Sequence, residues 1–191
     1  LGHPAALWDR KEYGLTPRPL TYANITRVPE KVPPLNEAKF TRERKRPAVW
    51  LAHGDLSNSP GHPSFAPEKG FGPFGGQAFI ADIAHRNIMR VALEKVGGQY
   101  QGAVFGFIRP LSSSSYSSAF DAQGNLWIGS VGRGWTAGAP AIEIIRFDPK
   151  KTPFEIHRIE LTKKGFDVHF TQPIAAPVVT RDVVVTEYRL E

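Results

Sequence analysis

Histidine and carboxylate side chains that lie close together in the sequence are the residues best suited to metal or acid–base chemistry. His53, Asp55 and His62 form the pattern H-x-D-x6-H inside a turn-rich segment. Imidazole and carboxylate groups in a loop are ligands that divalent metals take in proteins. This spacing matches no compact ligand rule, so the sequence favours a hydrogen-bonded structural loop, and a metal site is the alternative.

Asp82 and His85 form a second group at the end of an apolar run. As an acid–base couple at a strand end, they would be able to exchange a proton with a substrate. The competing interpretation is structural, because an Asp in a turn accepts hydrogen bonds from nearby backbone N–H groups. The sequence favours this turn-capping role for Asp82.

The segment 132–135 contains the candidate ligand-binding residues Arg133 and Trp135. A guanidinium beside an exposed indole can stack on, or grip, an anionic ligand. The alternative is that the Trp135 ring fills a gap between neighbouring sheets.

Two further polar segments are predicted to have no chemistry of their own. Residues 121–125 resemble a calcium loop only superficially, since they lack further carboxylates and a bidentate Glu, so a β-turn is predicted. Residues 112–115 are four serines without a G-x-S-x-G motif or an identifiable base. The four serines are predicted to form a flexible loop, with no nucleophilic serine among them.

Composition excludes several classes of site and partner. The 191 residues include no cysteine, which excludes disulfides, thiolate nucleophiles, Fe–S clusters and c-type haem attachment in this chain. The net charge is +6, but the basic cluster at 42–46 has no interleaved aromatic residues, so no nucleic-acid partner is expected. No apolar run reaches the ~18 residues of a membrane span, which leaves peripheral association with a membrane complex open.

Residues 1–47 are predicted to be an extended, Pro-rich arm that lies on another surface, and a disordered tail is the alternative. Six prolines precede residue 47, and each removes a backbone N–H and fixes φ. The chain starts at Leu1 without a leader pattern, so we expect either a processed mature chain or an excerpt of a longer protein, and we favour the excerpt.

The sequence pattern of residues 48–150 is typical of short β-strands. The runs 77–82, 87–94 and 100–107 alternate in part and are bounded by Gly, Asn and Pro, which is typical of strands. Gly97 and Gly98 between the last two runs predict a tight hairpin, because its turn requires positive φ. The segment 55–76 is predicted to be rich in turns.

A weak internal repeat predicts the architecture of this region. The segments 76–82 and 124–130 match at an offset of 48 residues, and each precedes an apolar strand with a basic residue, 88–91 and 144–147. A repeat of this length made of short antiparallel strands has the size of a β-propeller blade. The predicted fold class is all-β, with about two blades of a partial propeller; another sandwich or barrel is the alternative.

Residues 151–191 are predicted to contain the first strands of an Ig-like sandwich. The run 156–161 precedes Lys163-Lys164-Gly165, which predicts a hairpin turn. In the next run, alternation places Phe166, Val168 and Phe170 on one face of a strand. Valine-rich segments follow at 178–179 and 183–185, and three strands are too few to close a two-sheet core.

The segments 71–77, 79–91, 93–103 and 133–135 resemble the propeller of large secreted bacterial proteins. Those proteins are labelled membrane-bound dehydrogenase-like or glucose/sorbosone-dehydrogenase-like, and they are related to the soluble quinoprotein sugar dehydrogenases. Residues 151–173 resemble the junction between that propeller and an Ig-like domain. The resemblance covers residues 47–175.

The resemblance implies a periplasmic or extracellular protein of a family whose dehydrogenases use pyrroloquinoline quinone (PQQ) and calcium. The matched segments resemble the last blades, so no catalytic residue is carried over. We therefore expect a structural or docking portion, or an accessory subunit, of a larger quinoprotein-dehydrogenase-like assembly. Such a chain binds no cofactor alone and has protein partners or further parts of the same polypeptide. The alternative is a PQQ-dependent sugar or alcohol dehydrogenase whose site includes His85 and Arg133.

Overall fold

The computed structural model describes residues 47–132 and 138–175, and in this part the chain is all-β, as predicted. These residues lie, except for Pro47, in the unit Ala48–Glu191. Apart from Pro47, the predicted arm at 1–47 lies outside the described residues, as do the last predicted strands after residue 175. The strands are β1 Pro60–Phe65, β2 Ala78–Asp82, β3 Asn87–Val96, β4 Gln99–Ile108, β5 Ser114–Phe120, β6 Leu126–Val131, β7 Ile142–Ile145, β8 Ile156–Thr162 and β9 Gly165–Phe170.

The first sheet is a four-stranded antiparallel meander in the order β1-β2-β3-β4. Strands β2, β3 and β4 confirm the three strands predicted from alternation. The predicted tight hairpin is also confirmed, because Val96 pairs with Gln99 across a two-residue turn. Gly97 and Gly98 have φ of 57° and 84°, a left-handed conformation that glycine adopts without steric cost.

The segment 55–76 is rich in turns, as predicted, but it also contains β1, a strand that the sequence pattern did not predict. Pro60 and Pro63 obscured the strand in the sequence. They are tolerated because β1 is an edge strand, where a missing N–H breaks no bond in the ladder. The pairing with β2 shifts register between these two prolines.

The second sheet is a three-stranded antiparallel meander in the order β5-β6-β7. The flexible loop predicted at 112–115 was wrong, because Ser113, Ser114 and Ser115 are buried and β5 begins at Ser114. Small side chains are required where β5 packs closely against β1. A Cβ atom at Gly61 would overlap the carbonyl oxygen of Tyr116.

Two apolar clusters cover both faces of the first sheet. One cluster lies between the two sheets and joins Phe79 and Ile88 of the first to Leu126 and Ile128 of the second. Phe71 packs edge-on against Phe79, with ring centroids 5.2 Å apart. The opposite face of the first sheet is covered by the segment that precedes β1: Ala78, Ile80, Met89 and Val91 contact Val49, Leu51 and Leu56.

Strands β8 and β9 form the hairpin predicted at 163–165, since Thr162 pairs with Gly165. Phe166 lies opposite Leu161, and Val168 lies opposite Ile159, which gives the hairpin one apolar face. This hairpin packs against β3 and β4 of the first sheet.

Candidate functional site

The Asp82 carboxylate is buried and accepts four hydrogen bonds. Its Oδ2 atom accepts hydrogen bonds from the Ser57 hydroxyl and from the backbone N–H groups of Asn58 and Ser59, each at 2.8 Å. Its Oδ1 atom accepts a fourth bond, at 2.8 Å, from the backbone N–H of His85. Asp82 lies at the end of β2 and is fully buried, so it pins the segment 57–59 to that strand end.

These bonds also decide the charge of Asp82. Burial raises the pKa of Asp82, but the hydrogen bonds from His85, Asn58, Ser57 and Ser59 together outweigh burial and leave the pKa below its usual value. His85 contacts the carboxylate through its backbone N–H, not through the imidazole. The geometry is that of turn capping, and an ionised carboxylate with four donors is a poor general base.

Substitution separates the capping role of Asp82 from an acid–base role shared with His85. Asp82→Ala leaves three backbone N–H groups and a hydroxyl without their acceptor, and we expect it to lower the free energy of unfolding by about 2–4 kcal/mol. His85→Ala retains the backbone N–H and is expected to change stability by about 0.5 kcal/mol or less. Urea unfolding of both variants checks this, and equal losses would contradict the capping geometry.

His53, Asp55 and His62 are not brought together as a metal site. His53 and Asp55 are exposed before β1, whereas His62 lies on β1 with Nε2 3.2 Å from the carbonyl oxygen of Ser118 on β5. Among residues 47–132 and 138–175, no three His, Cys, Asp or Glu side chains are arranged to hold a metal ion. His62 therefore contributes a contact between the two sheets. Arg133 and Trp135 lie outside the described residues.

Residues 121–125 form the predicted β-turn between β5 and β6. Asp121 Oδ1 accepts the backbone N–H groups of Gln123 and Asn125 at 3.0 and 2.8 Å. Asp121 Oδ2 accepts the Asn125 side-chain amide and the Trp127 indole N–H, both at 2.8 Å. These two side-chain bonds, from Trp127 and then Asn125, lower the pKa of Asp121 to about 2. The carboxylate therefore fixes the Trp127 ring on the outer face of the second sheet.

The depressed pKa of Asp121 predicts an acid-dependent loss of stability. Since the pKa is lower in the folded chain than the ordinary value of 3.8, the stabilisation is fully present above 3.8 and is lost as the pH falls toward about 2. We expect the melting temperature of the unmodified chain to exceed that of Asp121→Asn near neutral pH, and this difference to shrink over that interval. A difference that is constant with pH would contradict the hydrogen-bonded turn.

Arg90 on β3 is a buried charged residue that sequence reasoning missed. Its guanidinium has no solvent exposure and lies between the rings of Phe74 and Phe105, 4.6 Å from each centroid. It donates to Gln77 Oε1 and to the carbonyl oxygens of Ile156 and His157, and it forms an ion pair of 3.1 Å with Glu155. Burial lowers the pKa of Arg90, and the Glu155 carboxylate acts in the opposite direction.

The role of Arg90 is to attach the β8–β9 hairpin to the first sheet. Three of its partners are consecutive residues at the start of β8, and the ring of His157 also reaches back to the Pro73 carbonyl oxygen at 2.6 Å. A sequence signal was present, since Arg90 interrupts the otherwise apolar run 88–92 on the face that also carries Ile88. Arg90 is thus a structural clamp, and its position gives it no open path to a ligand.

The outer face of the second sheet is apolar and exposed. Leu126 and Ile128 point to the core, so Trp127 and its cross-strand partner Ile144 point away from it. The exposed fractions are 41% for Trp127, 38% for Ile144 and 73% for Ile142. Exposed apolar residues that are neighbours on one face are typical of a surface that binds another protein.

No protein family, curated protein or solved structure matches this chain. Within the part of the chain that the structure describes, no helix has the length and apolar character needed to span a bilayer. The function is therefore inferred from the residues and their geometry.

Proposed function

We propose that this chain is a structural and docking module of a larger β-propeller assembly, and that it is not self-sufficient in catalysis. The observation that carries the proposal is the exposed apolar face of the second sheet, formed by Trp127, Ile142 and Ile144. The corresponding face of the first sheet, which carries Phe79, is covered by the second sheet. The face of the second sheet that carries Trp127 has no such cover in the described residues.

The internal repeat supports this equivalence of faces. At the offset of 48 residues, Phe79 corresponds to Trp127, and Ile80 corresponds to Ile128. The face with Phe79 packs on the second sheet, while the face with Ile128 packs on the first. By the same relation, the face with Trp127 is the one that a following sheet would cover. Sheets that stack head to tail in this way form propellers and other repeat arrays.

The strand pairing also supports the correspondence between the two sheets, and it shifts the alignment of the repeat segments 88–91 and 144–147. Phe79 pairs with Arg90, and Trp127 pairs with Ile144. Ile144, and not Arg146, therefore takes the position of Arg90 in the second sheet. The shift of two residues conserves the face because side chains alternate with a period of two.

A second copy of this chain is a poor occupant for the exposed face. The complementary surface of the first sheet, with Ile80 and Met89, is already covered by Val49, Leu51 and Leu56. We therefore infer that the occupant is a sheet from another part of the assembly. The resemblance of residues 47–175 supports a secreted, quinoprotein-dehydrogenase-like class for that assembly, in the periplasm or outside the cell. In this proposal the β8–β9 hairpin begins the Ig-like domain.

Polar substitution of the exposed face tests the docking role. The double variant Ile142→Gln/Ile144→Gln is expected to bind less of a hydrophobic dye and to self-associate less, while its free energy of unfolding changes by about 1 kcal/mol or less. The matched control is Ile128→Gln, on the buried face of the same sheet, which we expect to cost about 3 kcal/mol or more. A double variant as unstable as Ile128→Gln would contradict an open face.

An activity assay tests the absence of self-sufficient catalysis. We expect no dye reduction when the chain is supplied with PQQ, calcium and an aldose. Dye reduction that His85→Ala abolishes would overturn the proposal in favour of a dehydrogenase.

A further inference from the structure

The second sheet has one strand fewer than the first in the described part of the chain. β7 takes the place of β3, since both are the third strand of an antiparallel meander. In the first sheet β4 pairs along the outer edge of β3, but no described strand pairs with the outer edge of β7. An unpaired edge offers backbone N–H and C=O groups to an added strand.

The hydrogen bonds identify which groups of β7 face this edge. Ser130 donates its N–H to the carbonyl oxygen of Ala141 at 2.9 Å, so residues 141, 143 and 145 are the ones that bond to β6. The N–H and C=O groups of Ile142 and Ile144 therefore point to the outer edge of β7, called the free edge below because no described strand pairs with it.

The pairing of β3 with β4 indicates what kind of strand fits there. Met89, Arg90 and Val91 pair with Gly106, Phe105 and Val104, respectively. Transferred to Glu143, Ile144 and Ile145, this pairing places a small, an aromatic and a branched aliphatic residue opposite them. The aromatic side chain would lie beside Ile144 on the apolar outer face.

Charge adds one further preference. Ala92 pairs with Ala103 in the first sheet, and its counterpart after β7 is Arg146, which is exposed. An acidic residue opposite Arg146 would form a cross-strand ion pair.

We propose that the outer edge of β7 binds an antiparallel strand from a partner polypeptide, with the order acidic, branched aliphatic, aromatic, small from its N-terminus. The inference rests on the proposed function, because the added strand completes the second sheet of a larger assembly. A second copy fits less well. Suppose that the β7 strands of two copies pair antiparallel, with Ile144 opposite Ile144 so that the apolar faces align. Arg146 of one copy then lies opposite Ile142 of the other, and not opposite a carboxylate.

A synthetic peptide tests the proposal with the full chain. The probe has the sequence of residues 99–108 with glutamate in place of Ala103, and it carries a fluorescent label for anisotropy. We expect saturable binding, weaker by about two- to fivefold for a peptide with lysine at that position. A peptide N-methylated at alternate amides is expected not to bind, because it cannot extend the ladder.

Two variants of the chain locate the binding. Ile144→Pro removes an N–H that points to the free edge and keeps the bonds to β6, as prolines are tolerated on β1; we expect it to abolish binding. The matched control Ile144→Val retains the N–H and is expected to bind. Equal binding by both variants would overturn the proposal.

Amide hydrogen exchange gives a readout that does not depend on any variant folding. In the free chain we expect fast exchange at Ile142 and Ile144 and protection at Glu143 and Ile145, with the peptide slowing the first two. Protection of Ile142 and Ile144 in the free chain, through self-association or otherwise, would overturn the inference, as would peptide binding that leaves them fast. These backbone signals are separate from the side-chain exposure that tests the docking face, so the two proposals fail independently.

Discussion

Replacing Arg90 with leucine is expected to release the β8–β9 hairpin from the first sheet and to lower the free energy of unfolding by about 3–5 kcal/mol. The substitution leaves the Ile156 carbonyl oxygen and the Gln77 amide oxygen without their donor inside the protein, and it removes one of the two donors to the His157 carbonyl oxygen, the other being the Gln77 side-chain N–H. It also leaves Glu155 without its cation. A loss of this size is a large fraction of the 5–15 kcal/mol that stabilises a typical domain.

Two further variants show whether the loss of stability comes from the several N–H donors of the buried Arg90 guanidinium. Arg90→Lys keeps the charge but cannot reach several acceptors at once, so we expect it to be intermediate. Arg158→Leu removes an exposed ion pair with Glu160, at 2.9 Å, and is expected to cost about 1 kcal/mol or less. Urea unfolding and amide exchange along β8 provide the measurements. Arg90→Leu with the stability of Arg158→Leu would contradict the clamp.

The second large effect is expected for Gly124→Ala, with a loss of about 2–4 kcal/mol. Gly124 has φ of 81°, and an added Cβ atom would lie 2.9 Å from the carbonyl carbon and oxygen of Gly70. The left-handed conformation alone costs alanine about 1–2 kcal/mol, and the backbone of one turn must then move away from the other. The turn at 121–125 and the segment at Gly70 thus fit together only without a side chain.

Gly98→Ala is the matched control for Gly124→Ala. Gly98 has nearly the same φ, 84°, but an added Cβ atom would meet nothing within 4 Å. We expect this variant to lose only the conformational share, about 1 kcal/mol. The difference between the two variants in urea unfolding measures the close approach of the two backbones. Equal losses would mean that the backbones are not in contact.

Local patterns predicted the strands whose side chains face an apolar core. β2, β3 and β4 alternate or are continuously apolar, and Gly97 and Gly98 fix the hairpin, so their signals are contained in a few neighbouring residues. β1 and β5 escaped prediction because prolines at an edge and serines at a close sheet contact conceal strands that only packing explains. Long-range geometry, and not local propensity, selects those residues.

Only those contacts of the candidate site that join residues close together in the sequence were predictable. The bond from the His85 N–H to Asp82 spans three residues and follows from turn chemistry. The other donors to Asp82 are 23 to 25 residues away, and the partners of Arg90 at Glu155, Ile156 and His157 are 65 to 67 residues away. Such separations carry no periodic signal in a single sequence, which is why the buried arginine was missed.

Hydroxyl-radical footprinting of the isolated chain tests most directly whether the outer face of the second sheet is exposed to solvent. We predict strong modification of Trp127, Ile142 and Ile144 and protection of Leu126 and Ile128, their neighbours on the opposite side. Protection of all five side chains in the monomer would contradict the account, because the chain would then seal its own sheets and need no neighbour.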